Sequence, residues 1–157
     1  MTDKYNFEDL IEIVKKLRAP DGCPWDRVQT HETLNPCLIN ETAEVLAAVD
    51  VWRQTGDSDN LCEELGDVLL LVLLHSLVAQ EEGLFDFSDV VQTISEKMIR
   101  RHPHVFSQEK ELPDWEAIKQ AEKATIPASV ENAKRKALSK AYGDIIDHIN
   151  AQGKATK

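Results

Sequence analysis

The sequence predicts an all-α fold, and three observations carry this prediction. Apolar residues recur at spacings of three and four along nearly every segment, which is the period of a helix. Prolines, glycines and residues typical of helix caps divide these segments from one another. No stretch shows the sustained alternation of apolar and polar residues that marks a half-buried strand. The 157 residues, 42% of them apolar, are enough for one domain with its own core.

The first two predicted helices are separated by a loop. Asn6 is the predicted N-cap of a helix whose apolar stripe covers residues 7–17. Residues 19–26 contain two prolines and a glycine, which favours an ordered loop. A second helix is predicted over about 33–53, with Pro36 in its first turn, where proline is tolerated.

The third predicted helix is the most apolar segment of the chain. Asn60 and Glu63 resemble a capping pair at its start, and Gly83 is the predicted glycine just beyond its end. Its middle, residues 68–74, is apolar on all sides. A small domain rarely buries such a helix completely, so we expect the chain to form a homodimer or a higher homo-oligomer.

Three shorter signals organise the remainder of the chain. Ser88 and Gln92 resemble a capping box that opens a fourth helix, which Pro103 ends. Asp114 is the predicted cap of a short helix over 115–124. A last helix is expected after that, followed by a frayed polar tail.

Composition narrows the classes of function. A net charge of −10 argues against non-specific binding to nucleic acids or anionic membranes. The longest apolar run is too short to span a bilayer, and the N-terminal residues do not resemble a signal peptide. Three cysteines without paired spacing favour a reduced, cytoplasmic protein. We therefore expect neither a nucleic acid nor a membrane as partner.

The most informative pattern is two pairs of carboxylates, Glu41 with Glu44 and Glu64 with Asp67. Residues three apart share one face of a helix, and both pairs border apolar stretches, where acids repel one another and are costly to desolvate. Mg²⁺ or Mn²⁺ would remove both penalties, because these cations prefer oxygen ligands. Either pair alone is more often a solvated helix face. Together, on two antiparallel helices, they predict a shared divalent-cation site.

Basic and aromatic residues suggest an anionic ligand. Lys97, Arg100 and Arg101 lie on one flank of the fourth predicted helix, where guanidinium groups can bind phosphate oxygens in a bidentate way. A solvated basic helix end, favourable to the helix dipole, is the alternative interpretation. Trp25 and Trp115 lie beside turns and can either stack on a nucleobase or fill the core.

The sequence lacks the motifs of several other common metal and nucleotide sites. No histidine forms a Glu-x-x-His pattern, which argues against a ferritin-like di-iron bundle. No Cys-x-x-Cys pair indicates structural zinc, and there is no Walker A loop or glycine-rich dinucleotide turn.

Several segments, in the same order, resemble the MazG nucleoside triphosphate pyrophosphohydrolases. The likeness runs from about residue 7 to 124. It comprises Leu-Arg-Ala-Pro-Asp-Gly-Cys-Pro-Trp-Asp at 17–26, Asn-Glu-Thr-Ala-Glu at 40–44, Glu-Leu-Gly-Asp at 64–67, the basic segment at 95–106, and Asp-Trp-Glu-Ala-Ile-Lys at 114–119.

This resemblance implies an all-α helical bundle that assembles as a dimer, with a catalytic domain at 1–125 and a C-terminal helix and tail at 126–157. It also implies Mg²⁺-dependent cleavage of nucleoside triphosphates between the α and β phosphates, in nucleotide-pool house-cleaning. Carried over by position, the metal ligands and catalytic residues are Glu41, Glu44, Glu64 and Asp67, and the substrate-binding residues are Lys97, Arg101, Lys119 and Trp115.

Two departures from the family pattern keep alternatives open. Asn40 occupies the first acidic position of the Glu-Glu-x-x-Glu motif, and the chain resembles only one half of the two-domain members. A low-activity or non-catalytic nucleotide-binding dimeric module is therefore a second hypothesis. A hydrolase specialised for one nucleotide, such as dUTP or dCTP, is a third.

Overall fold

The computed structural model describes residues 4–107 and 111–155, with side chains as far as residue 152. This part of the chain is helical and contains no strand, so the all-α prediction is confirmed. In chain order the helices are α1 (Phe7–Arg18), α2 (Pro24–Arg27), α3 (His31–Thr55), α4 (Asp59–Glu81), α5 (Phe87–Arg101), α6 (Pro103–Phe106), α7 (Trp115–Ala124) and α8 (Ala128–Ala155).

The chain divides into two compact units within α5, the first ending at Val90 and the second beginning at Val91. In the first unit α3 packs against α4, and α1 contacts α4 and α2. A short turn joins α3 to α4, and Gly56 in that turn has a φ of 78°, which glycine adopts without strain. The two long helices therefore form an antiparallel hairpin, which sets side chains in the middle of α3 opposite the first half of α4.

The core of the first unit is an apolar cluster contributed by three helices. It comprises Val14 of α1, Leu34 of α3, and Leu71, Leu73, Leu74 and Val78 of α4. The segment 68–74 was predicted to need a second chain for its burial. Its Leu71, Leu73 and Leu74 are instead at most 5% exposed within this chain. Other apolar side chains of the hairpin, such as Leu46 and Leu65, are exposed, and association into a dimer stays a prediction.

Several predicted helix boundaries are confirmed. The Asn6 side chain accepts a hydrogen bond from the Asp9 backbone N–H, and the Asp9 carboxylate accepts one from that of Asn6. Asp114 caps α7 by accepting from two backbone N–H groups of its first turn. Gly83 follows the end of α4 with a positive φ.

Other predicted boundaries are wrong, because these helices begin at neighbouring residues. Thr30 and Thr33 cap α3, so this helix begins at His31 and Pro36 lies in its interior rather than in its first turn. The other two corrections concern α4, whose N-cap is Ser58 rather than Asn60, and α5, where Asp86 and Asp89 exchange the reciprocal bonds predicted for Ser88 and Gln92.

The loop after α1 and the C-terminal tail also differ from the predictions. The loop at residues 19–26 contains a short helix, α2, at its end. The backbone of α8 stays helical to Ala155, so the frayed tail predicted from Gln152 is wrong up to that residue. The last two residues lie outside the described part of the chain.

Candidate functional site

Three of the four predicted acids converge on the α3–α4 hairpin. Glu41 projects from α3, and Glu64 and Asp67 project from α4. Each contributes one carboxylate oxygen to a group in which all the oxygens lie within 4.8 Å of one another. The spacing of three residues in α4 keeps both of its acids on the face that the antiparallel hairpin turns toward α3.

No basic side chain of the described residues is paired with these three acids. Glu64 is only 8% exposed, and its Oε1 accepts a hydrogen bond of 2.6 Å from the Asn60 amide one turn earlier. In the described part of the chain no lysine, arginine or histidine forms an ion pair with Glu41, Glu64 or Asp67. Burial raises the pKa of the Glu41 carboxyl, and the charges of Glu44, Asp67 and Glu64 raise it further.

The arrangement fits a hard divalent cation. All of its donors are oxygens, which Mg²⁺ and Mn²⁺ prefer. Oxygens that bind one Mg²⁺ at about 2.1 Å are about 3 Å apart at adjacent positions and about 4.2 Å apart at opposite ones. Oxygens within 4.8 Å of one another would therefore close by up to about 2 Å to bind one ion together.

Glu44, the fourth predicted acid, is not in this group. Its side chain is exposed on α3, although its charge is close enough to raise the pKa of Glu41. Its role as a ligand stays a prediction. Asn40, next to Glu41, is half-buried in the same helix.

In the second unit, two of the predicted phosphate-binding residues meet an acid. Glu122 of α7 accepts hydrogen bonds from the guanidinium groups of Arg100 and Arg101 at the end of α5, the shortest being 2.7 Å from Arg100 and 2.6 Å from Arg101. These contacts lower the pKa of the Glu122 carboxyl to about 2, first through Arg101 and then through Arg100. Glu122 is therefore an anion throughout the neutral range.

Trp115 belongs to the same cluster. The Arg101 guanidinium lies over its ring at 5.3 Å from the ring centroid, and the His102 ring contacts it at 5.6 Å. The structure thus brings together Arg100, Arg101 and Trp115, all predicted, with Glu122 and His102. The sequence does contain a signal for Glu122, because it follows Trp115 by seven residues and so shares its face of a helix.

The segment that contains α3, α4 and α5 is similar to a known protein family. The family model of the MazG nucleotide pyrophosphohydrolase domain matches residues 29–106, which include all four acids and the basic end of α5. A solved structure, that of a mazG-related protein from Thermotoga maritima, superposes with a TM-score of 0.58 at 33% identity and covers 72% of this chain and 98% of that one.

The chain belongs to the MazG family.

Curated members of the MazG family include longer proteins. A nucleoside triphosphate pyrophosphohydrolase/pyrophosphatase MazG of Thermotoga maritima is 50% identical over 119 residues, which are 74% of this chain and 45% of that protein. A nucleoside triphosphate pyrophosphohydrolase of Escherichia coli K12 is 44% identical over 125 residues, 75% of this chain and 46% of that protein. The chain therefore spans less than half the length of these relatives.

The other three residues predicted to bind substrate take no part in the contacts around Glu122. On α5 of this MazG-family chain, Lys97 is half-buried and forms no ion pair with a described residue. Lys119 of α7 pairs with Glu116 one turn earlier. Trp25, in α2 of the first unit, is more than half exposed. Their roles toward a substrate stay predictions.

A pair of histidines completes the first unit. The Nδ1 atoms of His31 and His75 are 2.8 Å apart, and their rings stack with centroids separated by 5.1 Å. Imidazole is a common metal ligand, but this pair is not part of the acidic group.

Within the described ranges no helix has the length and hydropathy needed to cross a membrane.

Proposed function

We propose that this MazG-family chain is a divalent-metal-dependent nucleoside triphosphate pyrophosphohydrolase. It cleaves the bond between the α and β phosphates and yields a nucleoside monophosphate and pyrophosphate, as a cytoplasmic house-cleaning enzyme. The observation that carries the proposal is the convergence of Glu41, Glu64 and Asp67 without a cation partner. The names of the curated relatives support the substrate class. We place the catalytic domain at 1–125 and an appended helix and tail at 126–157.

The acids hold the metal in this proposal. Glu41, Glu64 and Asp67 ligate Mg²⁺, for which Mn²⁺ can substitute, and Glu44 is the predicted fourth ligand. A bound divalent ion supplies a Lewis acid that offsets phosphate charge and makes water more acidic. Asn60 holds the Glu64 carboxylate in its orientation through the hydrogen bond already described.

The basic and aromatic residues bind the nucleotide. Lys97, Arg100, Arg101 and Lys119 contact phosphate oxygens, where fixed positive charge stabilises the negative charge that develops on the leaving pyrophosphate. Trp115 and Trp25 offer flat apolar faces on which a base can stack.

A product assay tests this function. The chain is incubated with canonical and modified nucleoside triphosphates in Mg²⁺, and the products are separated. Monophosphate with pyrophosphate shows α–β cleavage, whereas diphosphate with orthophosphate shows β–γ cleavage and contradicts the proposal. Asp67→Asn and chelation of Mg²⁺ should each abolish turnover. Nucleotide binding without any pyrophosphate release would favour a non-catalytic nucleotide-binding module.

A further inference from the structure

Two neighbouring arginines on one helix converge on the same acid. Consecutive residues of an α-helix point about 100° apart, so Arg100 and Arg101 should diverge. They nevertheless share the Glu122 carboxylate. Its Oε1 accepts from Arg100 Nε at 3.0 Å and Nη2 at 2.7 Å, and its Oε2 accepts from Arg101 Nε at 3.2 Å and Nη2 at 2.6 Å. Glu122 therefore imposes a geometry that α5 alone would not give.

The contacts with Glu122 use only one edge of each guanidinium group. Both arginines use the edge formed by Nε and Nη2, and neither Nη1 is engaged by a described residue. The charge also remains positive, because two guanidinium groups meet one carboxylate and Lys97 lies one turn earlier on the same flank. The cluster can thus bind an anion without first losing Glu122.

A second contact restrains one of the two arginines. Arg101 lies over the Trp115 ring, and its side chain is about four-fifths buried, as is that of Glu122. Ordering a long side chain costs conformational entropy, which a ligand otherwise has to overcome when it binds. Here the folded chain orders the arginines before any ligand arrives.

We propose that Glu122 is a positioning residue, which presents Arg100 and Arg101 as a preformed clamp for the phosphates of the nucleotide. This inference rests on the proposed function. In it Glu122 holds the two arginines in place for the phosphates and does not compete with the phosphates for them. A competing acid would have to leave before a phosphate binds, and its neutralisation would tighten binding. A positioning acid stays in place, and its neutralisation weakens binding.

The test compares Glu122→Gln with the parent by calorimetric titration with inorganic pyrophosphate and with an α,β-methylene nucleoside triphosphate, both in Mg²⁺. We expect the Kd of both ligands to rise about tenfold, and kcat/KM in a separate turnover assay to fall at least as much, because the two arginines contact the bound phosphates and also stabilise charge on the leaving pyrophosphate. Asp144→Asn removes the acid of the Lys140–Asp144 pair on α8 and serves as the matched control with unchanged Kd. Unchanged or tighter binding by Glu122→Gln would overturn the inference.

Two further readouts separate positioning from a purely structural role. Arg100→Ala and Glu122→Gln should be non-additive in Kd, because one acts through the other. In the parent, the Nε–H resonances of Arg100 and Arg101 should keep their exchange protection when pyrophosphate saturates the protein. This measurement needs no variant, so it decides even if Glu122→Gln does not fold. Loss of exchange protection at these Nε–H groups would overturn the positioning role of Glu122 and leave the proposed function intact. A parent protein that binds neither ligand would overturn the proposed function as well.

Discussion

At the scale of single residues, the three converging acids make the sharpest prediction. Without metal they repel one another, so Asp67→Asn should abolish Mg²⁺-dependent turnover and leave the apo protein as stable as the parent or slightly more stable. Mg²⁺ should raise the melting temperature of the parent but not that of the variant, because a ligand of the native state stabilises it. Thermal melts with and without Mg²⁺, together with turnover, measure both effects.

Glu44→Gln is the matched comparison for that experiment. Glu44 is exposed and lies outside the group of three oxygens, so its neutralisation should reduce turnover by less than Asp67→Asn does. Full Mg²⁺-dependent turnover in the Asp67 variant would rule out the shared metal site.

The histidine pair predicts a pH dependence of stability. Burial lowers the pKa of His75 below its ordinary value of 6.5, and the adjacent His31 lowers it further. Below pH 6.5 the unfolded chain therefore binds more protons than the native one, and the free energy of unfolding falls as the pH decreases toward the native pKa. His75→Phe should flatten this slope in melts recorded between about pH 7.5 and about pH 5.5. An equal slope in both proteins would exclude His75 as its source.

The sequence predicted part of the site because residue spacing fixes a helix face. Glu64 and Asp67 had to share a side of α4, and the short turn before α4 placed Glu41 opposite them. The exclusion of Glu44 could not be predicted, since the rotation of α3 about its axis depends on how its apolar side pairs with α4. Glu122 was missed for a similar reason, because its partners belong to a helix 21 and 22 residues earlier in the chain.

At the scale of helices and their connections, two glycines predict opposite effects. A Cβ on Gly22 would lie 2.3 Å from the backbone oxygen of Leu17, so Gly22→Ala must displace the backbone that follows α1. Gly66, inside α4, has open space where its Cβ would be. Gly66→Ala should raise the free energy of unfolding by about 0.5–1 kcal/mol through helix propensity, whereas Gly22→Ala should lower it. Urea unfolding measures both, and a neutral Gly22→Ala would contradict the close approach.

Arg18 joins the end of α1 to the next connection and to α4. Its side chain is 5% exposed and donates to both oxygens of Glu81 and to the backbone oxygens of Asp26 and Gln29. Arg18→Ala should lower the free energy of unfolding by about 2–4 kcal/mol, because it leaves two carbonyls without their donor. Glu81→Gln keeps those donations and should cost about 1 kcal/mol. Equal losses in the two variants would show that the carbonyl contacts contribute nothing.

The longer helices were predictable from periodicity, whereas the short α2 and α6 and several helix starts were not. Asn6 and Asp114 were the only good capping residues at their positions, and both cap as predicted. Several possible capping residues lie close together at the start of α5. There Asp86 and Asp89 form the reciprocal hydrogen bonds, and Ser88 does not. A cap requires an extended residue followed by helical ones, so its position depends on where the preceding turn ends.

At the scale of the whole molecule, the distribution of apolar residues differs from the sequence-based expectation. The segment 68–74 finds most of its cover inside the first unit, against α1 and α3. Exposed apolar side chains occur instead at other positions of the two long helices, where Leu46 of α3 is 67% exposed and Leu65 of α4 is 53% exposed. These two residues, and not the middle of α4, are therefore the reason to expect self-association.

These exposed residues lead to the last prediction, a homodimer that buries Leu46 and Leu65 of the α3–α4 hairpin. Exposed large apolar residues on neighbouring helices are typical of surfaces that a second copy covers. Leu46→Glu and Leu65→Glu should each shift the protein toward monomer, since burial of a carboxylate against an apolar face is unfavourable. Gln54→Glu, an exposed change near the end of α3, is the control that adds the same charge outside the apolar surface. Light scattering across a concentration series measures the outcome, and a parent that stays monomeric at micromolar concentration would contradict the prediction.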